Sequence, residues 1–150
     1  MSEKTCPHCG CVIVKGRSSP DHRRFFAMIR AAYDHWPAKH EFQPDSAEHL
    51  RAWLTCKAGY RESTIIDLPD GATDGMQRLF VLAIEASVKA ADGLGFVRPY
   101  NGSVVVFKPR SIAWDTLGQR EFAAVRDAIS DVIEAETGIT VDALLREKAA

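Results

Sequence analysis

The chain has 150 residues, of which 46% are hydrophobic and 26% charged, and its formal net charge is −1. These values describe one ordinary globular domain, long enough for a sizeable core. They exclude a disordered chain, a membrane-spanning helix (no apolar run approaches about 20 residues) and nucleic-acid binding driven by overall charge. The start, Met1-Ser2-Glu3-Lys4-Thr5-Cys6, lacks the apolar stretch of a secretory signal, so a cytoplasmic location and reduced cysteines are expected.

In chain order, Cys6-Pro7-His8-Cys9-Gly10-Cys11 comes first. Cys-x-x-Cys-Gly is half of a zinc knuckle, because two thiolates two residues apart in a tight turn chelate one tetrahedral ion. Cys6, Cys9 and Cys11 are the candidate zinc ligands, with His8 an awkward fourth, and two subunits sharing an ion would complete the set. The competing reading is a reduced, exposed tail. Residues 1–11 are set apart as this Cys-rich segment, and residues 12–150 as a single α+β domain.

Cys11-Val12-Ile13-Val14-Lys15 is rich in β-branched residues and reads as a strand. A helix follows over 20–36, with Ser18 or Ser19 as cap, Pro20 in the first turn and Pro37 as its stop. Its apolar face is Phe25, Met28, Ile29, Ala32, Tyr33 and Trp36, and Arg23, Ala27 and Arg30 fall opposite. Asp45, with Glu48 three residues on, predicts the start of a second helix that buries Leu50, Trp53 and Leu54 and ends near Gly59. Ser63 to Leu68 reads as a strand, closed by the turn Pro69-Asp70-Gly71.

A third helix, from about Met76 to Ala91, is apolar on most sides. It is expected to be deeply buried or covered by a partner chain. Residues 95–108 form a hairpin turning at Asn101-Gly102, with Pro99 marking an edge strand. The fourth helix spans 117–137, buries Phe122, Val125, Ile129, Val132 and Ile133, and stops at Gly138. Thr140 caps a short last helix. The order predicts a small, mostly antiparallel sheet packed with four to five helices.

Two stretches carry a family resemblance. Val12-Ile13-Val14-Lys15-Gly16-Arg17-Ser18 followed by His22-Arg23-Arg24-Phe25-Phe26 resembles the early motif of the NinB/Orf family of phage recombination proteins and of a related prophage family. Phe107-Lys108-Pro109-Arg110-Ser111-Ile112-Ala113-Trp114, then Phe122 and its helix, is similar to the late strand and final helix of that prophage family. Together they span about residues 11–138. The N-terminal segment departs from the family pattern in its Cys-rich start, and residues 63–93 match it poorly. The resemblance implies a non-catalytic, homodimeric protein that binds single-stranded DNA in phage-type recombination, with a single-strand-binding protein as a further partner.

Residues 15–30 hold Lys15, Arg17, Arg23, Arg24 and Arg30 against the single acid Asp21. Cations around a helix N-terminus suit a phosphate backbone, although a solvated helix face accounts for them equally well. His22 lies toward the apolar edge, where packing competes with DNA contact. Lys108, Arg110 and Trp114 form a second group in which an indole between cations stacks on an unpaired base; a core Trp is the simpler reading. Tyr100, at the hairpin tip, is a further stacking candidate, and Cys56 reads as structural. No nucleophile elbow, phosphate-cradling glycine loop or helical His pair is present in the sequence. The alternatives to a DNA-binding accessory protein are a protein-interaction module acting on a host protein and, third, a metal-dependent nuclease. For the homodimer, helix 76–91 is the expected interface.

Overall fold

The computed structural model describes residues 19–91, 94–112 and 117–149. The predicted strand at 11–15, Arg17, Trp114 and the cysteines at 6, 9 and 11 lie outside the described residues. Helix α1 (Ser19–Asp34) is followed by α2 (Ala47–Lys57), β1 (Arg61–Ile66), α3 (Asp74–Ala91), β2 (Phe96–Tyr100), β3 (Ser103–Pro109), α4 (Gln119–Thr137) and α5 (Val141–Ala149). The protein is a small single-domain α+β fold, as its composition and periodicities predict.

The sheet is antiparallel throughout, in the order β1-β3-β2. Its hairpin turns where expected: Asn101 has φ +43° and Gly102 φ +76°, the paired positive angles of a type I′ turn. Pro99 lies on edge strand β2, where its missing N–H breaks no ladder. The two faces of the sheet are unequal. On one, Val97, Val104 and Val106 pack under Val81, Ile84 and Val88 of α3. On the other stands the main core, where Phe25, Ile29, Leu50, Leu54, Phe122, Ile129 and Leu144 are almost fully enclosed by α1, α2, α4 and α5. Each such side chain contributes about 1.5–3 kcal/mol relative to exposure.

Several boundaries move for identifiable reasons. Helix α1 ends at Asp34 rather than Trp36, because Pro37 disfavours helical geometry at the residue before it. Trp36 instead closes a tighter turn with its N–H to the Tyr33 carbonyl, and its indole donates to the Phe42 carbonyl at 2.8 Å. The cap of α2 is Ser46, not Asp45: the Ser46 hydroxyl accepts the His49 N–H at 3.1 Å. Glu48 therefore falls at the second helical position and closes no capping box. Strand β1 begins two residues early, at Arg61, where the Arg110 N–H donates to the Tyr60 carbonyl.

Helix α3 starts at Asp74, since the Thr73 hydroxyl accepts the Met76 N–H at 3.2 Å. Helix α4 starts at Gln119 behind Gly118, which supplies no side-chain cap. Of the two alternatives expected for α3, deep burial or cover by a partner chain, the structure overturns the first. None of its residues is buried, and Leu79 and Leu82 stay 68% and 61% exposed. A three-stranded sheet covers only one stripe of an 18-residue helix.

Candidate nucleic-acid interface

Helix α1 sorts its basic residues onto different sides. Residues four apart share a face, so His22, Phe26 and Arg30 form one row. This row lines two adjoining clefts, of about 780 and 410 Å³. Phe26, Glu48 and Arg51 border both. The larger cleft runs on to Lys108 and Arg110 at the end of β3, and the smaller one ends at Arg30. The fold thus joins His22, Arg30, Lys108 and Arg110 along one continuous track, although 78 residues separate Arg30 from Lys108 in the sequence.

Arg24 turns away. Its guanidinium pairs with Asp142 of α5 at 3.0 Å, in the open. Such an exposed pair is worth little energy, but it commits Arg24 to the α1–α5 seam. Arg23 is exposed and has no ion pair among the described residues, and it lines neither cleft.

The track is not uniformly basic. Arg51 grips Glu48 through two charge-assisted hydrogen bonds, one of 3.0 Å from Nε. That contact holds the Glu48 carboxyl below its ordinary pKa against the opposing effect of burial. The pair stays ionised and mutually neutralised. Arg30, Lys108 and Arg110 have no ion pair among the described residues, although Glu62 is the cross-strand register partner of Lys108 and borders a further cleft with Arg110. Asp21 is engaged elsewhere, accepting from the Gln119 amide at 2.7 Å and lying 3.5 Å from Arg126.

The aromatic element of the track is Phe26, which sequence reasoning left unassigned. Its ring is 43% exposed between the two clefts. The Phe25 ring meets it edge-on at 5.4 Å and the His22 ring at 4.8 Å. His22 is half-buried and also lies 6.3 Å from Phe122. It therefore packs, as its place on the apolar edge predicts, while bordering the cleft. The i, i+4 row of His22, Phe26 and Arg30 was the signal that could have singled out Phe26. Tyr100 is exposed at the hairpin tip but lines neither cleft.

Among the described residues no group of three or more His, Cys, Asp or Glu could hold a metal ion, and no helix is long and apolar enough to cross a membrane. Cys56, by contrast, is buried, and burial pushes its thiol pKa up to about 11. No family model, curated protein or solved structure matches the chain, so its functional reading rests on this geometry and on the sequence.

Proposed function

We propose that the protein binds single-stranded DNA without cleaving it, as an accessory factor of phage-type recombination that works beside a single-strand-binding protein. The observation that carries the reading is Phe26. A half-exposed ring lies on a groove with Arg30 at one end and Lys108 and Arg110 at the other. Sequence-tolerant single-strand binders combine these parts: stacking on a ring, and cations that follow the backbone. The resemblance of residues 12–26 to phage recombination proteins, and of residues 107–122 to a related prophage family of unknown function, supplies the biological setting.

Fluorescence anisotropy with a labelled oligonucleotide at two salt concentrations tests the reading. Phe26→Ala is expected to weaken binding roughly tenfold or more, consistent with about 1–3 kcal/mol per stacked base. Lys108→Ala with Arg110→Ala is expected to flatten the salt dependence by about 0.7 for each phosphate no longer neutralised. All three side chains are at least partly exposed or at a strand end, so the fold should survive. Absence of binding at low salt, or binding indifferent to all three substitutions, rejects the proposal.

The uncovered apolar surface of α3 favours a second reading, a module that occupies a host protein. That reading requires stoichiometric binding of a purified partner, abolished by charge on α3, with the DNA track substitutions silent.

A further inference from the structure

The strongest feature outside the DNA track is the free edge of β2. Residues 94–99 run through a groove of about 570 Å³ that shares only Leu94 with the clefts of the track. Phe42, Asp45 and His49 form one wall, and Glu85 and Lys89 of α3 form the other. Val97 packs under α3, while Phe96 meets Phe42 and His49 on the opposite face. The walls therefore belong to the two faces of the sheet, and the strand's edge lies recessed between them. From wall to wall, Lys89 lies 3.7 Å from Asp45, an exposed pair that yields readily.

The turn at Asn101-Gly102 makes Tyr100 and Ser103 a hydrogen-bonded pair. Alternation then directs the main-chain groups of Arg98 and Phe96 to β3. It leaves the Val97 N–H, the Val97 carbonyl and the Pro99 carbonyl facing the groove, where no described strand pairs with them. Arg98 shares the face of Phe96, is exposed and has no ion pair among the described residues. Beside Phe96 the wall is uncharged. His49 stacks on that ring at 5.5 Å, and its Nδ1 accepts the Asp45 N–H at 3.1 Å. Burial lowers its pKa, with Asp45 opposing and Lys89 adding to the effect, so the ring is neutral at pH 7.

We propose that the groove binds an extended peptide segment of a partner protein, which adds to β2 as a further, antiparallel strand. The residue opposite Val97 exchanges both main-chain hydrogen bonds with it. The residue before it lies opposite Arg98 and is acidic. The residue after it lies opposite Phe96 and is large and apolar, resting on Phe96, Phe42 and His49. Main-chain bonds give such binding its affinity, and alternate side chains give it specificity. Pro99 limits the pairing, because it accepts a bond and donates none. Two features select a slender segment over a second copy of the chain. A strand carrying its own covering layers does not fit an edge recessed between α3 and the start of α2. Strand β1, the other free edge, follows Glu62 with Ser63 and Thr64 and lacks the large apolar side chain.

This inference stands apart from the DNA-binding reading. Its probe is a capped, fluorescently labelled peptide, Gly-Glu-Val-Phe-Gly, whose anisotropy is followed as the full chain is added. Saturable binding is expected. Methylation of the peptide's valine nitrogen removes the donor to the Val97 carbonyl and should weaken binding about fivefold or more. That comparison needs no variant of the protein. Arg98→Glu should weaken binding about tenfold or more, and a Gly-Lys-Val-Phe-Gly peptide should recover the loss on that variant alone. Circular dichroism checks that the variant, altered at an exposed position, is folded. Amide resonances of Val97 and His49 should shift with peptide. The proposal is overturned by no saturable binding at millimolar peptide, by binding indifferent to the methyl group and the charge reversal, or by shifts centred on β1 or Phe26. Protection of the Val97 amide by the chain's own concentration, without peptide, would give the groove to a second copy and overturn it too. Phe26→Ala bears only on the DNA reading and should leave peptide binding intact.

Discussion

At the scale of single residues, the fold assigns opposite fates to side chains that look alike in sequence. Arg24 and Arg30 are both basic positions of α1, yet one is tied to Asp142 and the other lines a cleft without an ion pair among the described residues. Cys56 is another residue whose chemistry its place in the fold decides. It is 5% exposed within α2, and burial raises its pKa to about 11, against a smaller opposing effect of Arg61. A thiol held protonated is a poor nucleophile and a poor metal ligand. Alkylation followed by peptide mapping should label Cys56 only after unfolding; rapid labelling of the folded protein would contradict its burial. The linkage has a definite sign. The folded state holds this proton more tightly than the unfolded chain, whose thiol titrates near about 8.5. Stability is thus complete below that pH and declines as pH rises toward 11, a decline that Cys56→Ala should remove.

At the scale of elements, periodicity and turn chemistry were legible. The 3.6-residue repeats of α1 and α4 and the Asn101-Gly102 pair lead directly to their places in the fold. Helix starts were less so, because a cap is decided by one hydrogen bond: Ser46 displaced its neighbour Asp45, and Thr73 extended α3. The site was half legible. Lys108, Arg110, His22 and Arg30 were visible as types, but their convergence depends on β3 ending beside α1, which no local pattern encodes. Phe26 was missed because its neighbour Phe25 occupies the core position. Another long-range constraint hid in Gly95. A Cβ built there would lie 2.5 Å from Val88 Cγ1, so the glycine sets how closely α3 approaches β2. Gly95→Ala should destabilise by about 1–3 kcal/mol through overpacking, and adding Val88→Ala should recover part of that loss. Thermal melts of Gly95→Ala, Val88→Ala and the double variant measure it, and strictly additive losses would refute the contact.

At the scale of the whole molecule, the two sides of the sheet differ in what secures them. The bundle of α1, α2, α4 and α5 surrounds large side chains that are almost fully enclosed. The α3 side rests on three buried valines and a fringe of half-buried residues. Cooperative units open in order of the apolar contact that holds them. Amides of α3 should therefore exchange with deuterium faster than those of α4 when the chain is dilute. If a second copy covers α3, that difference should narrow as concentration rises, because association stabilises only the closed form. Exchange at residues 79–90 that does not change with concentration would leave α3 bare. Exchange equal to that of 122–133 in dilute solution would mean that the valine layer is as strong as the bundle. A Leu79→Lys, Leu82→Lys variant separates these outcomes. It should keep the fast exchange of α3 at every concentration while leaving α4 protected.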